Sequence, residues 1–408
     1  MPQRRDHKRV LIYSHDSFGL GHLRRCRAIA HSLVEADSSV SVLILSGSPI
    51  IGSFDFRSRV DFVRIPGVIK LRNGEYVSLS LHIDIEETLA MRSSIIHHTA
   101  DIFDPDLLIV DKEPLGLRGE VRPTLDLLRA RGTTLVLGLR DVMDDPAALE
   151  TEWERKNAVP ALSDYYDELW VYGLPQICDP LEGIDLPASV RRRMVYTGYL
   201  RREVGATASK HDIHGLVDGD FLLITAGGGG DGEEVVDWVL AAYEHDPGPL
   251  PPALIVFGPF MMPERQAAYD ARAARLGKVR AITFDAHLEA LMARAQGVVA
   301  MGGYNTFCEI LSFDKPALIL PRTVPRLEQY IRARRAAELG LVTMLADDNA
   351  RDPAKMVAAL LQLTQQAPPS AVVVPGLLDG MPNVNKLAAK WLAGGRASRF
   401  GFPLRRNG

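Results

Sequence analysis

Short apolar runs alternate with longer segments of helical periodicity along most of the chain. The runs fall at 10–13, 42–45, 107–110, 134–137 and 169–171 in the first half, and at 221–225, 254–257, 281–284, 298–300, 317–320 and 342–345 in the second. Runs this short, each followed by an amphipathic segment of helix length, are typical of buried parallel strands with helices between them. The pattern therefore predicts the α/β fold class, with parallel sheets covered by helices.

The alternation is interrupted directly after Gly198. There a polar and basic stretch, LRREVGATASKHD at 200–212, precedes the next apolar run. A chain of 408 residues also exceeds what one hydrophobic core usually organises. We therefore predict two Rossmann-like, doubly wound domains at 1–198 and 199–382, followed by a last helix at 384–392.

Composition and charge narrow the classes of function. The net charge is −4, which argues against general affinity for nucleic acid or acidic lipid. The three cysteines, Cys26, Cys178 and Cys308, have no CxxC spacing, so we interpret them as buried thiols of a reducing compartment. The start MPQRRDHKR lacks an apolar signal-peptide core, and no run approaches the roughly 20 apolar residues that span a bilayer. A cytoplasmic location is therefore expected.

A glycine loop, SFGLGHLRR at 17–25, links the first predicted strand to the first predicted helix. A dinucleotide fingerprint is disfavoured because Arg24 stands where its third glycine would be, and a P-loop is excluded because no Lys-Ser/Thr pair follows the glycines. The remaining functional interpretation makes Gly19, Gly21 and His22 a loop that binds a phosphate or an acceptor, with Arg24 in reach of the anion. The alternative is a histidine that only solvates a helix start.

Four side chains of the first half are candidate bases. His22 lies at a helix start, where the helix dipole disfavours the imidazolium and keeps the ring neutral near pH 7. Asp111, Glu113 and Asp141 follow predicted strands, whose carboxyl ends line the ligand crevice of an α/β sheet. Ordinary loop charges are the alternative for each acid. No DxD pattern follows a strand on the donor side, so we predict catalysis without a metal ion or a cofactor.

Four successive glycines at 227–230 follow the predicted strand at 221–225. Such a run is costly to order, so its functional interpretation is close approach of the backbone at Gly228 and Gly229 to a ligand. A flexible strand-to-helix corner is the alternative, and Asp231 in the same loop would repel a pyrophosphate. Further along the chain, Phe284 is either a wall for a base ring or part of the core.

The segment MGGYNTFCEIL at 301–311 repeats the strand, glycine turn and helix arrangement. Gly302 and Gly303 permit a tight turn whose free amides face a phosphate. Glu309 is placed where one carboxylate accepts hydrogen bonds from two neighbouring hydroxyls, as a ribose presents them. The alternative is an ordinary β-α-β-α run with a capping acid. The other candidate donor-binding residues here are Asn305, Thr306, Glu328 and Gln329.

This succession of motifs resembles the donor-binding region of the GT-B glycosyltransferases, specifically family 28, which contains the lipid-II-forming N-acetylglucosaminyltransferase. The GxGHxxR loop also resembles the GT-B UDP-sugar hydrolases of pseudaminic acid synthesis, in which the catalytic histidine takes the place of His22. The resemblance implies two domains that face a central cleft, with the C-terminal segment 383–408 crossing back to the first domain. It further implies that Glu309 holds the nucleotide ribose and that Glu328 and Gln329 hold sugar hydroxyls.

We therefore predict an inverting glycosyltransferase that moves a sugar from a nucleotide sugar, with UDP as the expected nucleotide, to an acceptor hydroxyl. The base is His22 or a first-domain acid. The alternatives are a UDP-sugar hydrolase, in which water replaces the acceptor, and a non-catalytic sugar-nucleotide sensor. The expected partners are the nucleotide-sugar donor and a small-molecule, glycan or lipid-linked acceptor, without nucleic acid. Weak peripheral association with a membrane stays open.

Overall fold

Two parallel sheets, one in each half of the chain, organise the protein. The computed structural model describes residues 7–15, 20–71, 75–204, 219–228, 230–248, 250–285 and 287–394. Every strand pairing within the two large sheets is parallel, and a small antiparallel hairpin lies apart from them. The predicted α/β class with two parallel-sheet domains is confirmed.

The strands of the first half are buried in the middle of their sheet and shorter at its edges. They are β1 (Lys8–Ser14), β2 (Val40–Ser46), β3 (Val60–Arg64), β4 (Val68–Lys70), β5 (Tyr76–Ser78), β6 (Leu107–Asp111), β7 (Thr134–Arg140), β8 (Glu168–Tyr172) and β9 (Met194–Tyr196). Among these described strands, seven form one sheet in the order β3-β2-β1-β6-β7-β8-β9, and β4 pairs with β5. The edge strands β3 and β9 and the hairpin were not among the predicted runs.

Helices cover both faces of this sheet. They are α1 (Gly21–Ala36), α2 (Ile85–Phe103), α3 (Arg122–Ala130), α4 (Pro146–Arg155), α5 (Ala158–Asp164) and α6 (Ala188–Arg191), with 3-10 turns at Ile51–Ser53 and Leu117–Gly119. Helix α1 begins at the glycine loop and buries Leu23, Cys26, Ile29 and Leu33 against the sheet. This apolar stripe fixes which way its first turn faces.

The second half repeats the architecture. Its strands are β10 (Leu222–Thr225), β11 (Ala253–Val256), β12 (Val279–Ile282), β13 (Gly297–Ala300), β14 (Ala317–Ile319) and β15 (Thr343–Met344). Its helices are α7 (Glu233–His245), α8 (Pro263–Ala273), α9 (Leu288–Arg294), α10 (Tyr304–Ser312), α11 (Glu328–Glu338), α12 (Pro353–Leu363) and α13 (Gly380–Ala393). A 3-10 turn lies at Pro369–Ala371. The six strands found in the described ranges run in the order β12-β11-β10-β13-β14-β15. Strand β12 ends at Ile282, so Phe284 lies beyond the strand rather than within it.

Each sheet reverses its strand order at one place, and ligands of open α/β sheets bind in the crevice that such a reversal creates. In the first sheet the reversal lies between β1 and β6. In the second it lies between β10 and β13, whose carboxyl ends lead into the glycine segments at 227–230 and 302–303. The topology therefore brings the predicted glycine loops to the two reversal points.

The chain crosses between the sheets twice, and the two crossings lie side by side. The amide of Tyr199 donates to Leu377 O at 2.8 Å, and the amide of Gly380 donates to Tyr199 O at 3.1 Å. A Cβ at Gly380 would lie 2.5 Å from Tyr199 O, so only glycine permits this approach. Helix α13 then packs against α1, where Asn385 and Ser32 exchange hydrogen bonds of 2.9 and 3.2 Å.

Apolar packing continues from the first sheet into α10. The Tyr199 ring stacks on Tyr304 at 6.0 Å between ring centroids and meets Phe307 edge-on at 5.1 Å. All three side chains are buried. Among the described helices, none combines the length and the apolar character required to cross a membrane.

Candidate active site

His22 and Asp111 come together at the reversal point of the first sheet. His22 stands in the first turn of α1 and Asp111 is the last residue of β6, and His22 Nδ1 contacts Asp111 Oδ2 in a very short hydrogen bond. Arg25 donates to both oxygens of the same carboxylate at 2.7 to 2.9 Å. Because Arg25 and His22 outweigh the effect of burial, the pKa of Asp111 lies well below its usual range.

An ionised Asp111 only accepts, so Nδ1 of His22 is the donor and the proton acceptor of the neutral ring is Nε2. Burial lowers the pKa of His22, although Asp111 opposes the shift. The ring is therefore neutral near pH 7, as predicted, but desolvation is the larger cause. The His22 side chain keeps 18% of its exposure, whereas Asp111 keeps 2%. A neutral ring held through Nδ1 keeps Nε2 as its proton acceptor, which is what a general base requires.

Asp141, the other acid predicted as a base, is placed differently. Arg332 of α11 donates to its two oxygens at 2.6 and 2.7 Å, and Tyr199 Oη donates to Oδ2 at 2.7 Å. The Asp141 side chain is fully buried. With both oxygens bound and no exposure, Asp141 joins the two domains instead of facing an acceptor. Glu113 is likewise buried and paired, with Lys156 Nζ at 2.8 Å.

The turn before α10 combines one constrained glycine with one unconstrained glycine. Gly302 has φ +78°, and a Cβ there would lie 2.7 Å from Ile319 Cγ2. Gly303 caps α10 without a side-chain hydrogen bond, and no described atom lies within 4 Å of the position its Cβ would take. The space beside Gly303 is therefore open at the start of α10, where the helix dipole favours an anion.

Asn305 and Thr306 lie in the first turn of α10, and both are buried. Asn305 Nδ2 donates to Gly21 O at 2.9 Å, so the first glycine loop and the turn before α10 are in contact. Arg202 Nη2 donates to Asn305 Oδ1 at 2.8 Å. Arg202 is itself buried, and its Nη1 has no hydrogen-bond partner among the described residues.

Glu309 is buried inside α10 but is only half satisfied. Its Oε1 accepts from Arg24 Nη2 at 2.5 Å, while its Oε2 is buried without a hydrogen-bond partner in the described parts of the chain. Burial raises the pKa of Glu309 to about 7 against the effect of Arg24, and Glu289 contributes to the rise. A buried oxygen of this kind is costly unless a donor reaches it, which suits a hydroxyl ligand.

Glu328 and Gln329 open α11, as predicted, and both are buried. Arg140 Nη2 lies 2.5 Å from Glu328 Oε2, and Arg322 Nη2 lies 3.3 Å from Oε1. The Arg322 amide donates to Gln329 Oε1 at 3.2 Å. Although burial opposes it, Arg140, Arg332 and Arg322 lower the pKa of Glu328 to about 2.

The second glycine loop is described in part. Gly228 O accepts from the amide of Phe260 at 2.9 Å, and Asp231 forms a close ion pair with Arg322. Phe284 follows β12 and is 37% exposed, so it does not belong to the core. Gly19 and Gly229 lie outside the described residues.

The sequence alone did not single out three side chains of this site. Glu289 binds Arg24, Arg202 holds Asn305, and Arg332 holds Asp141. Each partner is more than 100 residues away, so no local spacing marks the pair. Within the described ranges, no group of three or more His, Cys, Asp or Glu side chains is arranged to hold a metal ion.

Comparisons with known proteins give one family match and several similar folds. Residues 262–371 match the family model of the glycosyltransferase family 28 C-terminal domain. MurG of Acinetobacter baumannii is a similar solved structure, with 13% identity and a TM-score of 0.55 over 95% of this chain and 100% of that chain. Phytolacca americana UGT2 complexed with UDP-2fluoro-glucose and pterostilbene has 14% identity and a TM-score of 0.59 over 94% of this chain and 99% of that chain. UDP-GlcNAc 2-epimerase from Methanocaldococcus jannaschii has 12% identity and a TM-score of 0.58 over 95% of this chain and 100% of that chain.

At these identities the solved structures establish the fold, which is GT-B, and the family model adds the enzyme class for the second half. A sequence search of curated proteins finds no match to the chain. The predictions of a GT-B fold and of a family 28 relationship are both confirmed. The chain therefore has the GT-B fold, and its residues 262–371 match the C-terminal domain of glycosyltransferase family 28.

Proposed function

We propose that this chain transfers a sugar from a uridine diphosphate sugar to an acceptor hydroxyl, with inversion at the anomeric carbon and without an obligatory metal ion. The observation that carries the proposal is the opposition of two groups across the domain interface. The His22–Asp111 pair lies on one side, and the half-satisfied Glu309 of α10 lies on the other. Gly21 and Arg24, which flank His22, both contact α10 residues.

In the proposed complex, each polar feature of the second domain has one part of the donor to bind. The ribose diol donates to the Glu309 carboxylate, including the oxygen that lacks a partner in the described chain. The diphosphate lies at the start of α10, where free amides and the helix dipole stabilise its charge as it leaves. Gln329 and Glu328 bind hydroxyls of the sugar, and Phe284 packs beside the base.

His22 is the proposed base for the acceptor. Its Nε2 takes the proton of the acceptor hydroxyl while the oxygen attacks the anomeric carbon from the side opposite the diphosphate, which inverts the configuration. Asp111 holds the ring through Nδ1 and stabilises the imidazolium that forms. Backbone amides stabilise the leaving diphosphate, so this mechanism needs no metal ion.

Uracil is the proposed nucleobase of the donor, because two of the similar structures are named with UDP sugars, UDP-2fluoro-glucose and UDP-GlcNAc. A second candidate function is UDP-sugar hydrolysis, in which water takes the place of the acceptor. The GxGHxxR spacing of Gly19, Gly21, His22 and Arg25 resembles both classes of enzyme, and the contact of Arg25 with the carboxylate that orients His22 serves either reaction. Both functions use the same donor pocket.

The donor site is tested by changing Glu309→Ala and titrating UDP calorimetrically. We expect UDP binding to weaken by about 1.5–3 kcal/mol, because a charge-assisted hydrogen bond to ribose is lost. Glu338→Ala, which removes an exposed carboxylate on α11, is the matched control and should bind UDP like the wild type. Equal UDP affinity of Glu309→Ala and the wild type would contradict the assignment.

A further inference from the structure

Arg24 is a first-domain side chain that is bound by two carboxylates of the second domain. Its Nη2 lies 2.5 Å from Glu309 Oε1 and 3.1 Å from Glu289 Oε1. The side chain is 18% exposed, so it lies at the edge of the cleft rather than in the core. One guanidinium thus serves two carboxylates, and Glu309 Oε2 stays without a partner in the described chain.

The position of Arg24 conflicts with a ribose on Glu309. A diol that donates to both oxygens of the carboxylate needs Oε1, which Arg24 occupies. Because Glu309 is only 1% exposed, little space remains around this oxygen for Arg24 and a hydroxyl to donate to it at the same time. Ribose binding therefore competes with the Arg24 contact.

The diphosphate of the same ligand needs a cation at this place. It would reach the start of α10, about 9 Å along the helix from Glu309 at 1.5 Å per residue. Glu289 and Glu309 repel it, since like charges in a partly desolvated cleft interact strongly. Gly21, about one turn before Arg24 on α1, contacts Asn305 in the first turn of α10, so Arg24 stands about one helix turn from the residues beside the glycine turn. A guanidinium released from Glu309 can pair with phosphate in a bidentate manner.

We propose that Arg24 exchanges partners when the donor binds, leaving Glu309 to the ribose and pairing with the diphosphate. This inference rests on the proposed function, because it assumes the ribose on Glu309. Arg24 then favours nucleoside diphosphates over nucleosides. Since Arg24 lies two residues after His22 on α1, the exchange also ties the catalytic helix to an occupied donor site.

The test compares UDP with uridine, which has the ribose but no phosphate. In Arg24→Gln, we expect UDP affinity to fall at least about tenfold through loss of a charge-assisted contact. Uridine should bind as well as, or more tightly than, it binds the wild type, because its competitor for Glu309 is gone. The measurement is the ratio of the two dissociation constants by titration calorimetry.

Arg27→Gln is the matched control, because it removes the same charge one turn further along α1. Arg27 donates to Asp55 O at 2.8 Å, and no hydrogen bond or ion pair joins it to Glu309 in the described chain, so both affinities should stay within about twofold of the wild type. Arg24→Lys keeps the charge and should fall between wild type and Arg24→Gln. Thermal unfolding checks that each variant is folded.

Two outcomes would overturn the exchange. Equal losses of UDP and uridine affinity in Arg24→Gln would mean that Arg24 only holds Glu309 in place, and an unchanged UDP affinity would mean that it does not meet the diphosphate. Failure of the wild type to bind either ligand would instead refute the donor site of the proposed function, and the exchange with it. The wild-type titration thus separates the two failures.

Discussion

Asp111 and Asp141 show how neighbouring side chains decide the role of a carboxylate. Both follow buried strands of the first sheet, and both are almost inaccessible to solvent. Asp111 contacts His22, which is partly exposed, whereas Asp141 contacts Arg332 and Tyr199, which are buried. The first carboxylate therefore holds the side chain proposed as the base, and the second supports the interface between the domains.

The His22 assignment predicts a change in turnover rather than in donor binding. We expect His22→Asn to lower kcat by roughly 10²–10⁴-fold, because a positioned base is lost, while the Kd for UDP changes by less than about twofold. Glu113→Gln, which alters an acid two residues after Asp111, is the control and should keep kcat within about threefold. Steady-state kinetics with the acceptor and calorimetry measure the two quantities. A His22→Asn enzyme with near-wild-type kcat would make the loop purely structural.

At the scale of elements, the turn between β13 and α10 contains two adjacent glycines that are under different structural constraints. Gly302 is required by conformation, since its φ is +78° and its Cβ would contact Ile319. Gly303 has φ −57° and open space around it, so its conformation suits any residue. An adjacent pair with different constraints allows stability and binding to be tested separately.

Gly303→Ala should leave the fold intact and weaken UDP binding at least about tenfold, because a methyl group enters the space assigned to the diphosphate. Gly302→Ala should instead lower the free energy of unfolding by about 1–3 kcal/mol through backbone strain and the contact with Ile319. Thermal unfolding and UDP titration of both variants distinguish the effects. Unchanged UDP binding in Gly303→Ala would place the diphosphate elsewhere.

Element positions were predictable where a strand is buried on both faces. Strands β1, β6 and β10 read as continuous apolar runs because helices cover both sides of a parallel sheet. The edge strands β3 and β9 and the hairpin β4–β5 are short or partly exposed, so they leave no such run. In the same way, Glu309 and Gly302 follow from local spacing, while the Arg24 contact joins residues 285 positions apart and follows only from the fold.

At the scale of the molecule, ion pairs cross from one domain to the other beside the start of α11. Arg326 of the second domain binds Asp144 at 3.0 Å and Glu152 at 2.8 Å. Arg140 of the first domain binds Glu328 in the opposite direction. Glu328, which is proposed to bind the sugar, is thus paired with a first-domain arginine. If Glu328 binds a sugar hydroxyl as proposed, its pairing with Arg140 is the contact that donor binding would alter.

A transferase with such a closed interface should react slowly with water and faster with its acceptor. We expect slow UDP release from the sugar nucleotide alone and an increase of at least about tenfold, or some 1.4 kcal/mol of barrier, when the acceptor is added. Activity should persist in EDTA if backbone amides carry the leaving charge. Rapid release of free sugar, with no transfer in a broad acceptor screen, would favour the hydrolase, and a loss in EDTA that magnesium restores would contradict the metal-free mechanism.

The paired crossings at Tyr199 and Gly380 restrict how the cleft can open. Two chain segments connect the domains at this edge of the first sheet, and they are hydrogen-bonded to each other there. Sliding of one sheet past the other would strain these hydrogen bonds, whereas rotation about this edge would leave them intact. We therefore expect the cleft to open by rotation at this edge, so that a bulky acceptor enters from the side of the cleft that faces away from the two crossings.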